Sequence, residues 1–169
     1  MFHIFGKKKP VLINDLNVYV PVDGKVIPIE QSSDSVFASK AMGDGFAVIP
    51  WQEIVRSPVA AEVILVAATK HAIGLRMKNG DEVLIHMGVD TVELNGEPFQ
   101  IDVEVGDIVE GGQQLATMDL DLIKRHDLAT DVMVVFTNNE AAQANFEIEP
   151  GVKKAGEIVT TLILKKEQD

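Results

Sequence analysis

From Val18 onward, apolar residues come in short runs, each closed by Gly, Pro, Asn or Asp. The runs are "NVYVPVDGKVIPIE", "GDGFAVIP", "VRSPVAAEVILVAA", "HAIGLRMKNGDEVLIHMGV", "TVELNGEPFQIDV", "IVEGGQQLATMDL", "DVMVVFT" and "GEIVTTLILK". Valine and isoleucine dominate them, and these side chains pack well on a pleated surface. Many short strands with Gly/Pro punctuation predict an all-β antiparallel sandwich or flattened barrel. Asp23-Gly24 between apolar flanks predicts a hairpin, and Asn79-Gly80 and Asn95-Gly96 give two more turn signals. Helix is expected only in short pieces. "DLDLIKRHDLA" (119–129) predicts a short helix capped by Asp119 or Asp121, and "NNEAAQANF" predicts another turn or two.

Two segments repeat weakly. "VPVDGKVIPI" (20–29) is similar to "SPVAAEVILV" (57–66), and "VEVGDIVEGGQQLATMDL" (103–120) to "VKKAGEIVTTLIL" (152–164). Two copies of a strand-turn-strand unit predict a pseudo-duplicated sandwich, because a solenoid would hold one fixed period. No low-complexity linker divides the chain. The expected organisation is a flexible segment over 1–15 and a single domain over 16–169. The first residues, "MFHIFGKKK", read as a loose terminus, with an amphipathic foot on anionic lipid as the alternative.

Composition narrows the chemistry. The 169 residues include no cysteine, so disulfides, thiolate nucleophiles and zinc-thiolate sites are excluded. No apolar run reaches the roughly 18 residues of a membrane span, and nothing reads as a signal peptide. A cytoplasmic protein is expected. Acidic residues outnumber basic ones 26 to 15, a formal charge of -11 that opposes nucleic-acid binding and favours basic protein partners.

Four histidines remain: His3, His71, His86 and His126. His3 lies in the terminal segment and His126 beside the expected helix, so both read as surface residues. His86 interrupts the strand-like "EVLIHM". A two-residue turn at Asn79-Gly80 sets Lys78 against Asp81 and Ile73 against His86. His71 then shares the face of His86 as its diagonal neighbour at roughly 7 Å, with Thr69 extending the row. A three-residue turn would shift the register and divide the pair between the two faces.

Four chemistries compete for two convergent imidazoles. Serine-histidine hydrolysis lacks a nucleophile-elbow pattern. A catalytic zinc needs three protein ligands, nominally His71, His86 and Asp90, but Gly88 stands where a His-x-His pair would need a second imidazole. Zinc held transiently by His71 and His86 against a partner stays open. A lipoyl-like carrier fits "VGDIVEGGQQLATMD" in style, yet that segment has no lysine to modify. A phosphohistidine relay needs a neutral imidazole nucleophile, a second donor to phosphoryl oxygens, a hydroxyl to orient it and an apolar collar against water. His86, His71 and Thr69 among "VLVAA" and "EVLI" meet those needs.

The same residues carry a resemblance. "YVPVDGKVIPI", "VFASKAMGDGFAVIP", "TKHAIGLRMKNGDEVLIHMGVDTVEL" and "VEVGDIVEGGQQL" resemble the glucose-type enzyme IIA components of the bacterial phosphoenolpyruvate-dependent sugar phosphotransferase system. The resemblance covers nearly the whole chain, and "HMGVDTVELNGEPF" is its most specific part. It implies a phosphotransferase in which His86 accepts a phosphoryl group through Nε2, with Nδ1 held by a backbone carbonyl, that of Gly88. It implies that His71, supported by Thr69, passes the group onward. Asp34 and Asp90 would meet basic partner residues, and Val36, Phe37, Ala41, Met42 and Met87 would form an apolar docking rim. Leu84 and Met87 stand where some relatives carry phenylalanine, which makes that rim softer. The implied donor is the phosphocarrier HPr, and the implied acceptor is a cysteine on the IIB domain of a sugar permease. Some relatives also regulate transporters or kinases, and a purely regulatory binding module is the alternative. No cofactor is expected to be obligatory. The chain starts at methionine and carries no permease segment, so it reads as a free-standing component.

Overall fold

The computed structural model describes residues 10–138 and 147–163. The N-terminal foot, His3 and all but the first residue of "NNEAAQANF" lie outside the described residues. Thirteen strands are described, and every pairing among them is antiparallel. They are β1 (Asn17–Tyr19), β2 (Gly24–Pro28), β3 (Asp44–Pro50), β4 (Ile54–Arg56), β5 (Ala61–Val66), β6 (Ala72–Arg76) and β7 (Glu82–Met87). After these come β8 (Phe99–Ile101), β9 (Ile108–Val109), β10 (Gln114–Met118), β11 (Val132–Phe136), β12 (Gly151–Lys153) and β13 (Ile158–Thr161). An eight-stranded sheet runs β12-β2-β3-β11-β7-β6-β5-β9, accompanied by a three-stranded sheet β4-β10-β8 and the pair β1-β13. The all-β sandwich read from the sequence is therefore the fold, and its edges remain open rather than closing a barrel.

The duplication is visible in backbone hydrogen bonds. Tyr19 N donates to Pro58 O, and Arg56 N donates back to Pro21 O. Val20 N bonds Glu157 O while Gly156 N bonds Val20 O; in the other copy Ser57 N bonds Gln113 O while Gly112 N bonds Ser57 O. The two Pro-Val segments thus cross each other, each clasped by one copy of the second repeat.

Strand alternation divides the large sheet into two faces. In β7, Val83, Ile85 and Met87 are buried in the main core, while Glu82, Leu84 and His86 point outward and are partly covered. The outer face carries a cross-strand row, Ile27–Ala47–Met133–His86–Ala72, fixed by register. Ile27, Ala47 and Met133 join Ile29, Phe37 and Val135 in a second, smaller apolar cluster. A short helix, α1 (Ser35–Ala38), lays Phe37 onto it.

Four sequence expectations change. Asp23-Gly24 makes no hairpin: Gly24 already belongs to β2, which pairs with β3 and β12 rather than β1. Asp23 instead accepts from Trp51 N through its carbonyl and from Ala155 N through its carboxylate. "TVELNG" is not strand, because Thr91–Leu94 winds into a 3₁₀ turn ended by left-handed Asn95. The Asn79 turn is one residue longer than expected. Met77 N donates to Asp81 O, leaving Lys78, Asn79 and Gly80 as a three-residue loop, with Gly80 at φ 95° supplying the left-handed position. Ala72, not Ile73, therefore faces His86. The second helix, α2 (Leu120–Arg125), forms as expected, with Asp119 accepting from Leu122 N at 3.0 Å. The helix α1 has no counterpart in the sequence expectations.

Candidate active site at the two histidines

The register found would put a strand residue at 71 on the opposite face from His86, yet the two rings meet. Their centroids are 5.0 Å apart, edge to face at 76°. The reason is that His71 precedes β6. Lys70 closes a tight turn onto Ala67 O and takes a left-handed φ of 60°, so the side chain of His71 leaves the strand's alternation. Its backbone still joins the ladder, with Met87 N donating to His71 O at 2.7 Å.

Each ring is held at Nδ1. Thr69 Oγ1 lies 2.5 Å from His71 Nδ1, and His86 Nδ1 lies 2.9 Å from Gly88 O. A carbonyl oxygen only accepts, so His86 Nδ1 carries the hydrogen, and the neutral ring keeps its lone pair on Nε2. A hydroxyl either donates or accepts, so Thr69 does not bind His71 to one tautomer.

Gly88 earns its identity twice. Its φ of 81° is left-handed, and a Cβ there would overlap the Thr91 side chain. Thr91 is fully buried and donates from Oγ1 to Met87 O at 2.5 Å, which ties the 3₁₀ turn back onto the end of β7. The Gly88 carbonyl is thereby aimed at the imidazole. Asp90 follows with φ 58° and an exposed side chain.

Phe37 supplies the wall, buried to 5 % exposure with its ring 4.9 Å from that of His86. Asp34 caps α1, accepting from Val36 N at 3.0 Å and Phe37 N at 3.4 Å. The cap turns Phe37 inward and leaves Val36, Ala41 and Met42 exposed. Val92, on the Thr91 turn, is an exposed apolar residue to which the sequence assigned no docking role. Met87 departs from the docking rim: it is fully buried in the main core, on the face away from His86. One residue along a strand reverses the side, so Leu84, two positions before His86, is the β7 neighbour that shares its face.

Burial pushes the pKa of both imidazoles below the ordinary histidine value. For His86 desolvation is the largest cause, and the adjacent His71 adds to it. The Gly88 carbonyl, Asp34 and Asp90 act in the opposite direction without reversing the shift. Both rings are therefore neutral near pH 7. His71, His86 and Asp90 do not form a three-ligand centre: among the described residues no group of three or more His, Asp or Glu side chains is arranged to hold an ion. His126 ends α2, far in sequence from the pair and exposed. No helix among the described residues is long and apolar enough to cross a membrane.

Known proteins share this architecture. Residues 16–142 match the family described as phosphoenolpyruvate-dependent sugar phosphotransferase system, EIIA 1. The chain is 42% identical over 131 residues to the PTS system glucose-specific EIIA component of Bacillus cereus, covering 78% of this chain and 79% of that one. It is 41% identical over 152 residues to the component of the same name from Staphylococcus aureus, covering 89% and 91%. It is 46% identical over 127 residues to the glucose-specific EIICBA component of Streptococcus pneumoniae, covering 75% of this chain and 18% of that much longer one. Among solved structures, glucose permease IIA from Mycoplasma capricolum superposes with a TM-score of 0.79 at 33% identity, over 87% of this chain and 95% of that one.

Proposed function

The chain belongs to the EIIA 1 family of the sugar phosphotransferase system, and on that premise we propose that it relays a phosphoryl group through His86. The lone pair on His86 Nε2 attacks the phosphorus of a phosphohistidine on the donor, HPr. The Nε2–P bond forms as the donor's N–P bond breaks, and the electron pair returns to the donor imidazole. Onward transfer reverses the role: a cysteine thiolate on a permease IIB domain attacks the same phosphorus, and His86 recovers its lone pair. Phosphoryl transfer of this kind asks the protein for alignment and charge stabilisation more than for covalent chemistry.

The single observation that carries the reading is the bond from His86 Nδ1 to Gly88 O, which leaves Nε2 as the nucleophile. His71 stands 5.0 Å away, ready to donate from its own Nε2 when Thr69 donates to its Nδ1. Phe37 and Ala72 limit water at the N–P bond. The carboxylates of Asp34 and Asp90 complement a basic partner, while exposed Val36 and Met42 supply apolar contact.

Intact-mass spectrometry after incubation with phosphoenolpyruvate, enzyme I and HPr tests this. Wild type should gain one acid-labile phosphoryl group, and His86→Ala none. An unmodified wild type, or an adduct that survives in His86→Ala, would sink the relay.

A further inference from the structure

Asp131 is a carboxylate at 3 % exposure that belongs to neither histidine. Its Oδ2 accepts from Ser33 N at 2.8 Å and its Oδ1 from Ser33 Oγ at 3.2 Å, across 98 residues of sequence. Its backbone carbonyl accepts from Gly88 N at 2.8 Å. One residue therefore touches both the Ser33 segment and the Gly88 corner beside His86. On one side, Gly88 O holds the His86 ring. On the other, Ser33 leads into Asp34, whose own amide bonds Ser32 Oγ at 3.1 Å and whose carboxylate caps the turn that presents Phe37 to His86.

A buried carboxylate is a costly way to fill space, and an apolar side chain of similar volume commonly does as well for stability. What the charge adds is direction: two charge-assisted bonds to one serine fix the approach of a loop that α1, with four residues, is too short to fix by itself. We infer that Asp131 is a positioning residue, which holds the Asp34 loop and the Gly88 corner at a set spacing on either side of His86. The inference rests on the relay reading for its effect on transfer, and on geometry alone for its effect on the loop.

Two measurements test it. Amide hydrogen exchange of the intact chain reads the loop directly. In Asp131→Asn the capped amides of Val36 and Phe37 should exchange about tenfold faster, the size expected for losing one hydrogen bond to a charged group, while Ile85 in β7 is unchanged. Ser33→Ala should do the same to a smaller degree, and it serves if Asp131→Asn folds poorly. Ser33→Thr, which keeps both donors, should match wild type. Unchanged exchange at Val36 and Phe37 in both Asp131→Asn and Ser33→Ala would overturn the assignment.

Kinetics then separate positioning from general stability. With phosphorylated HPr as donor, Asp131→Asn should raise KM about tenfold with kcat within about twofold, and it should add little in an Asp34→Asn background. A fall in kcat at constant KM, or full additivity with Asp34→Asn, would contradict it. A wild-type chain that takes no phosphoryl group would refute the relay instead, and the exchange result would stand apart from that failure.

Discussion

The two corners of the site hold their imidazoles by the same atom but with different partners. His86 Nδ1 meets a carbonyl, and His71 Nδ1 meets a hydroxyl. The carbonyl permits one tautomer, so the His86 corner is committed before any partner arrives. The hydroxyl permits either, so the His71 corner adapts to what faces its Nε2. Backbone conformation follows the same division. The His86 ring stands on a regular strand and is aimed by a left-handed Gly88 locked onto Thr91, whereas His71 leaves its strand at a left-handed Lys70. A nucleophile is served by the first arrangement. A group that contacts phosphoryl oxygens in some states and not in others is served by the second.

Removing each ring in turn should have the largest effect. His86→Ala should take no phosphoryl group at all. His71→Ala should be phosphorylated by HPr yet lose about 100-fold or more in transfer to the IIB cysteine, the scale of a missing positioned proton donor. Stopped-flow transfer assays read both. Equal loss of acceptance in the two variants would erase the division of roles.

Gly88→Ala attacks the committed corner through its backbone. The left-handed φ and the overlap with Thr91 should lower stability by about 1–3 kcal/mol in denaturant unfolding. Phosphorylation should slow as well, because the carbonyl that fixes the tautomer moves. A fully stable variant with normal acceptance would show that the corner is not locked.

The adaptable corner should respond more mildly. Thr69→Val keeps the shape and removes the hydroxyl, so onward transfer should fall about tenfold, one good hydrogen bond's worth, with acceptance at His86 unchanged. Loss of acceptance would place Thr69 in the wrong half of the cycle.

The smallest effect is on pH. Burial and His71 lower the His86 pKa, so acceptance should stay level as pH falls to the ordinary histidine value and decline only below it. The unfolded chain binds the proton more tightly than the folded one. Stability attached to this group is therefore complete above the unfolded histidine value and is lost as pH falls through the folded one. A rate that already declines well above the ordinary value would mean the ring titrates as if exposed.

The strand-like run "EVLIHM" made a strand histidine at 86 legible, and the Pro-Val repeat made the duplication legible. Convergence with His71 was expected from a two-residue turn that the chain does not adopt. The rings meet because of the Lys70 turn, whose left-handed residue is a lysine and gives no glycine signal. The helix α1 escaped because four residues contain barely one helical period, although an Asp followed by Ser-Val-Phe carries the cap. The rim expectation fails at Met87 because a motif position carries no side of the sheet. The Ser33–Asp131 contact joins segments 98 residues apart, and local pattern holds no trace of it.

If Gly88 O occupies Nδ1, His86 is committed to reaction at Nε2. Nitrogen-phosphorus NMR of the phosphorylated protein, labelled with ¹⁵N-histidine, tests it most directly. One-bond coupling is expected between phosphorus and His86 Nε2, with Nδ1 still bearing its hydrogen. Coupling at His86 Nδ1, or on His71, would contradict it.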